Sequence, residues 1–349
     1  MSHTYEEIQG QAAAWRETIP SVREQWARIR RTLLVRPETH YLFIGSGTSF
    51  YLAQAAAQSF QEITGHVSCA APSSEVFLSP ASTVPARVPV VAFVISRSGS
   101  TSEAVMAADY LRRQSSGVNV VGITCTEGTE LEARTEYIVK LPQASEQSVV
   151  MTRSFTSMLL ALQVIGGLIA DDDRLLDELG QLPDMLAPAM PAFEDVAESV
   201  GGDLSRQQFI YLGLGPYRGL AEEATLKLKE MTQTPCEAYN PLEFRHGPIS
   251  IVSPGTTTVL LAGLRERDYL ADLEADVKEH GARVVTLSPY STPNADVTIA
   301  LPEGLSDVAR GVLYIPPLQL IAYFRAHALA LNPDEPRHLS QVVVLQGES

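Results

Sequence analysis

One run of elements is written twice in this chain, and that constrains the fold more than any other feature. A strand-like run at residues 41–44 leads into Gly45-Ser46-Gly47-Thr48-Ser49. A second run at 209–212 leads into Gly213-Leu214-Gly215-Pro216-Tyr217, so Gly45 pairs with Gly213 and Gly47 with Gly215 at an offset of 168. Residues 258–262 echo 90–94 at that same offset, 283–288 echo the run that begins at Val118, 297–302 echo 137–142, and 318–324 echo 159–164. Short apolar runs separated by helix-length segments describe a parallel sheet with helical crossovers, and the self-similarity describes it twice. The chain reads as α/β: N-terminal helices at 1–34, one domain at 35–170, a helical connector at 171–204 and a homologous domain at 205–345.

Thr4-x-x-Glu7 and Ser21-x-x-Glu24 have capping-box spacing with Pro20 between them, which predicts two N-terminal helices that meet at the proline. Val22, Trp26, Ile29 and Leu33 mark the apolar face of the second helix, and Trp15 and Trp26 read as core. The first residues have neither the basic nor the apolar region of a signal peptide. The apolar stretch at 157–170 is short for a bilayer and reads as a buried helix. Cys69, Cys125 and Cys236 are far apart and odd in number. They fit a reducing, cytoplasmic setting and form no metal motif, and neither metal nor cofactor is expected. A net charge of −15 argues against nucleic acid and anionic membranes as partners. The charge is uneven: residues 1–170 carry 13 basic and 14 acidic side chains, residues 171–349 carry 13 and 27. An anionic ligand therefore belongs with the first half.

The repeat diverges where chemistry would sit. After its second long strand the first half has Ser96-Arg97-Ser98-Gly99-Ser100-Thr101; the equivalent stretch of the second half is Leu264-Arg265-Glu266-Arg267-Asp268-Tyr269. Phosphate needs several converging donors, and a Gly turn that opens a helix supplies backbone N–H groups while small hydroxyl residues add more. The 45–49 and 96–101 turns both follow strands and precede helices, so they belong side by side at the C-terminal edge of one sheet. Each is also compatible with a plain turn plus N-cap. A dinucleotide site is disfavoured, because neither turn has G-x-G-x-x-G spacing.

Past Gly219, Glu223, Lys227 and Glu230 lie at i, i+4 and i+7, on one helical face. A solvated ion-pair face is the bland reading. Against it, the chain has only four lysines, Lys140, Lys227, Lys229 and Lys278, and two fall in this turn. Residues 235–248 then read as a long turn-rich segment in which His246 is held between Arg245 and Gly247-Pro248, the kind of segment that positions catalytic groups. His3, His40, His66, His280 and His327 are read as structural.

These motifs resemble the SIS (sugar isomerase) family. The similarity is specifically to the isomerase half of glucosamine-6-phosphate synthase and its single-chain deaminase and phosphosugar isomerase relatives, and it runs over nearly the whole chain from residue 40. It rests on the 45–49 turn, Ser96-x-Ser98-Gly99-x-Thr101, residues 223–230, Leu242-Glu243-Phe244-Arg245-His246-Gly247-Pro248, and the C-terminal stretches 319–323 and 336–340. The resemblance implies flavodoxin-like, three-layer αβα domains. It implies sugar 6-phosphate contacts at Ser46, Gly47, Thr48, Ser49, Ser96, Arg97, Ser98, Thr101 and Ser340, with backbone help near Val149. It implies Glu230 as general base with Lys227 beside it, and His246 as the ring-opening group that enters from the neighbouring subunit of a homodimer. Two positions depart from the synthase pattern: Gln341 replaces a lysine and Arg97 replaces a glutamine. With no glutaminase segment and no cysteine at position 2, glutamine-dependent synthesis is not expected. The implied activity is isomerising deamination of an amino-sugar 6-phosphate. Alternatives are a ketosamine-6-phosphate deglycase, a simple aldose–ketose phosphosugar isomerase or, in another class, a non-catalytic sugar-phosphate-binding regulator.

Overall fold

A computed structural model of the chain describes residues 2–33, 35–114, 117–343 and 345. Two parallel five-stranded sheets carry the fold. The first contains β1 (His40–Gly45), β2 (Ser68–Pro72), β3 (Val90–Ile95), β4 (Val118–Thr124) and β5 (Tyr137–Lys140), in the order β2-β1-β3-β4-β5. The second contains β6 (Gln208–Gly213), β7 (Cys236–Tyr239), β8 (Thr256–Leu261), β9 (Arg283–Ser288) and β10 (Val297–Ala300), in the order β7-β6-β8-β9-β10. The two orders are the same, as the internal repeat requires, and each is the doubly wound 2-1-3-4-5 arrangement.

Period-two alternation along the strands builds a core on each face. In the first sheet Leu42, Ile44, Val90, Ala92, Val94 and Val120 pack on the helices Ser73–Leu78 and Ser102–Gln114. The opposite face stacks Phe43 on Phe93, centroids 5.1 Å apart, beneath Phe60 of the helix Thr48–Thr64. The second sheet repeats this: Ile210, Leu212, Leu260 and Val284 meet Phe244, Leu270, Leu273 and Val277 on one face. On the other face lie the helices Pro216–Thr232 and Ile315–Ala328, packed on each other.

The chain divides into two compact units that exchange ends. Residues 13–180 form one with the segment from 340 onward; residues 181–339 form the other with the segment up to Ala12. The expected connector is one helix, Asp173–Gly201. The apolar helix Arg153–Ala170 is long and apolar enough to cross a membrane, yet 78% of it is buried inside the protein, as the reading of 157–170 as a core helix requires.

Three expectations need correction. Pro20 does not separate two helices: it lies inside the helix Gln11–Ile29, and the break from His3–Gln9 falls at Gly10. Pro20 is exposed, so water can take the carbonyl it leaves unbonded. Thr4 and Ser21 are not N-caps. Thr4 lies within the first helix and its hydroxyl donates to Asp334, 2.6 Å away, while the Ser21 hydroxyl accepts from Gln25. Residues 235–248 are less turn-rich than expected, since β7 and a short helix Pro241–Phe244 occupy eight of the fourteen. Trp15 and Trp26 are core, 0% and 1% exposed.

Candidate functional site

The glycine turns have the same geometry in both halves. Gly47 has φ 55 and ψ −127, and Gly215 has φ 54 and ψ −127, values that an L side chain rarely adopts. A Cβ on Gly45 would lie 2.2 Å from the Ser49 carbonyl oxygen, and one on Gly213 the same distance from that of Tyr217. Glycine thus lets each helix begin directly on its strand. β1 pairs with both β2 and β3, so the 45–49 and 96–101 turns flank the switch point at the C-terminal edge of the first sheet. Ser46 is half-buried and Gly47 exposed, with Thr48 and Ser49 buried in the first turn of the helix. In the second turn Ser96 Oγ accepts from the Gly99 amide at 3.1 Å and lies 3.4 Å from Thr101 Oγ1. Ser98 Oγ accepts from the Ser100 amide at 3.2 Å. Gly99, at φ +62, lies against Thr129, whose side chain a Cβ would meet at 2.3 Å.

Arg97 is only 8% exposed and faces inward. Its guanidinium meets Glu146 at 3.4 Å and donates to the carbonyls of Ser148 (3.1 Å), Val149 (3.0 Å) and Gln341 (3.2 Å). Gln341 in turn donates its side-chain amide to the carbonyls of Glu146, Gln147 and Ser148 at 3.2–3.3 Å. Ser340 is exposed, its hydroxyl bonded to the Val342 carbonyl. Glu146, which is not among the residues expected from the sequence, has a fully buried side chain. It accepts from the amides of Thr152 and Ser154 and from both their hydroxyls, at the start of the helix Arg153–Ala170. A carboxylate that reaches a helix start six residues on was the available sequence signal.

The matching edge of the second sheet is closed by the chain's own acids. The Gly263 amide donates to Glu266 at 2.8 Å, and the Leu264 amide donates to both oxygens of Asp307 at 3.1 Å. Asp307 is paired with Arg310, which is 1% exposed. Burial raises the Glu266 carboxyl against the opposing bond from Gly263. Two carboxylates here occupy the donors that an external anion would need.

Glu223, Lys227 and Glu230 run along the helix Pro216–Thr232. Lys227, 1% exposed, lies 3.5 Å from Glu223 and donates to Glu230, whose side chain is 18% exposed. By Glu230 the helix has travelled about 20 Å from the Gly turn, toward the end of the sheet where β7 begins. His246 is exposed, and the segment leading to it is pinned by the Asn240 cap of the short helix and by the ion pair of Arg245 with Asp276. That short helix packs on the helix Arg267–Glu279, whereas the helix bearing Glu230 packs on Ile315–Ala328. The helix bearing Glu230 and the short helix that leads to His246 therefore lie on opposite faces of the second sheet. Burial pushes the Cys125 thiol up and the Cys236 thiol up to about 12, so neither is poised as a thiolate nucleophile.

Comparison with known proteins gives this arrangement its class. The SIS domain family matches residues 34–166 and 204–322, one match to each half, and the chain belongs to that family. It is 29% identical over 359 residues to the Streptomyces coelicolor protein named "Putative D-galactosamine-6-phosphate deaminase AgaS", covering 96% of this chain and 91% of that one. It is 27% identical over 344 residues to the glutamine–fructose-6-phosphate aminotransferase [isomerizing] of Sulfurisphaera tokodaii, covering 97% of this chain but only 56% of that protein. The crystal structure of glucosamine-6-phosphate deaminase from Thermotoga maritima superposes with a TM-score of 0.80 at 26% identity, covering 99% of this chain and 100% of that one. The fold and relatives are those of phosphosugar isomerases and deaminases.

Proposed function

We propose that this chain is an isomerising deaminase of an amino-sugar 6-phosphate. The observation that carries the reading is Glu230: a mostly buried carboxylate, ion-paired to a buried lysine, in a family of phosphosugar isomerases. A proton beside a carbonyl is weakly acidic, and a positioned, partly desolvated carboxylate is the base that removes it. In the reaction His246 assists ring opening. Glu230 takes the proton from C2 of the open aldose and returns it to C1 through an enolamine. The imine left at C2 then adds water and releases ammonia and the ketose 6-phosphate. The hydroxyls and amides of the 45–49 and 96–101 turns hold the phosphate, since the matching turn of the second half is filled by Glu266 and Asp307. The active form is a homodimer in which His246 serves the site of the other copy. The placement of the Glu230 helix and the helix preceding His246 on opposite faces of the second sheet supports this.

The test is a panel of sugar and amino-sugar 6-phosphates followed by proton NMR in deuterated water with an ammonia assay. Wild type should release ammonia and exchange the C1 or C2 hydrogen. Glu230→Gln should bind the same substrate, lose roughly 10²–10⁴-fold in turnover and stop exchanging. Near-normal turnover in Glu230→Gln would move the base to Glu223. Binding by wild type without any exchange or turnover would favour a sugar-phosphate-binding regulator.

A further inference from the structure

Among the buried acids that the proposed chemistry does not use is Glu146, and its surroundings say what it does. The Glu146 side chain has no exposed surface and accepts four hydrogen bonds from Thr152 and Ser154, yet it also faces Arg97 at 3.4 Å. Arg97 sits in the middle of the hydroxyl-rich turn. Its carbonyl accepts from the Cys125 amide (3.0 Å) and the Thr124 hydroxyl (3.1 Å), so its backbone is fixed to the end of β4. Its side chain then spans from that turn to the carbonyls of Ser148 and Val149. Peptide planarity has a consequence here: a carbonyl drawn toward Arg97 turns the amide N–H of the next residue the opposite way. Arg97 thereby sets the direction of the Val149 and Val150 amides as well as the placement of Ser96, Ser98 and Thr101.

We infer that Glu146 is a positioning residue. It holds the Arg97 guanidinium inside the protein as a cross-link between the 96–101 and 146–149 segments, so Arg97 shapes the phosphate site and does not bind phosphate itself. Four acceptors around a guanidinium with five donors, at 8% exposure, leave little to offer an incoming anion. Gln341 reinforces the same cross-link by gathering the carbonyls of residues 146–148. The inference rests on the proposed function for the identity of the ligand.

Electrostatics and positioning predict opposite signs for Glu146→Gln. Were Arg97 a phosphate ligand, removing the neighbouring negative charge would tighten phosphate binding. As a positioning residue, its loss should weaken glucosamine 6-phosphate binding by about ten- to hundredfold, the effect of losing a charge-assisted hydrogen bond. KM should rise while kcat at saturation stays within about twofold, because Glu230 and His246 are untouched. Arg97→Lys separates the two roles independently. Lysine is a good phosphate binder as a point charge but lacks the planar fork that spans two carbonyls, so it should bind as poorly as Arg97→Gln. Calorimetry and steady-state kinetics on the full chain decide. Equal or tighter binding by Glu146→Gln, wild-type affinity in Arg97→Lys, or loss of kcat together with melting temperature would each overturn the inference. If wild type itself binds no sugar 6-phosphate, the proposed function falls, a result distinct from all of these.

Discussion

Lys227 and His246 are both assigned to the proposed chemistry, and they stand in opposite surroundings. Lys227 is enclosed between two carboxylates, one of them, Glu223, 0% exposed. Removing one member of a buried ion pair strands the other, at a cost of about 3–5 kcal/mol. Lys227→Met should therefore lower unfolding free energy by about that amount in a urea titration and also lower turnover, because Glu230 loses its anchor. His246 is exposed, so His246→Ala should leave stability within about 0.5 kcal/mol while abolishing turnover of the closed sugar ring. A Lys227→Met protein as stable as wild type would mean that the carboxylates find other partners. Both positions stand out in the sequence, one by i, i+4, i+7 spacing in a lysine-poor chain and the other by its setting between Arg245 and Gly247-Pro248. The pairing of Glu146 with Arg97 was not legible: Thr152 and Ser154 are near Glu146 in sequence, but Arg97 is 49 residues away, and no local pattern announces that meeting.

Among the elements, glycine separates two kinds of position. At Gly45 and Gly213 a Cβ would collide with a backbone carbonyl of the following helix, whereas at Gly180, exposed in the helix Asp173–Gly201, it would meet nothing within 4 Å. Gly45→Ala and Gly213→Ala should each destabilise by about 1–3 kcal/mol through forced overpacking. Gly180→Ala should stabilise by about 0.5–1 kcal/mol by removing backbone freedom from the unfolded chain. Equal shifts of the same sign in urea midpoints would refute the close strand–helix approach. Eight of the ten strands were legible because β-branched and aromatic residues fill them. β2 and β7 were not. Ser68–Pro72 and Cys236–Tyr239 contain no β-branched residue and sit at sheet edges, where pairing with one neighbour decides what propensity does not.

At the scale of the whole molecule, the repeat predicts two like halves, and the chain supplies them with ends exchanged. The first helix is bound by Asp334, to which Ser2, His3 and Thr4 donate, and Gln341 is bound to the loop of residues 146–148. Periodicity cannot show such pairings, since they join residues more than 190 positions apart. Duplication also lets the halves specialise: one keeps its hydroxyl-rich turn, and the other fills that turn with carboxylates and carries the Glu230 helix and the helix preceding His246 on opposite faces of its sheet. If two copies share these groups, each site takes Glu230 from one chain and His246 from another. A mixed dimer of Glu230→Gln and His246→Ala then holds one site with both groups and one with neither. Equal mixing, after dissociation and reassociation, should restore about a quarter of wild-type activity from two inactive parents. Native mass spectrometry would establish that mixed dimers form. Mixed dimers that form and stay inactive would place Glu230 and His246 in one site of one chain, and the second sheet would then have to be circumvented by a rearrangement of the 241–251 segment.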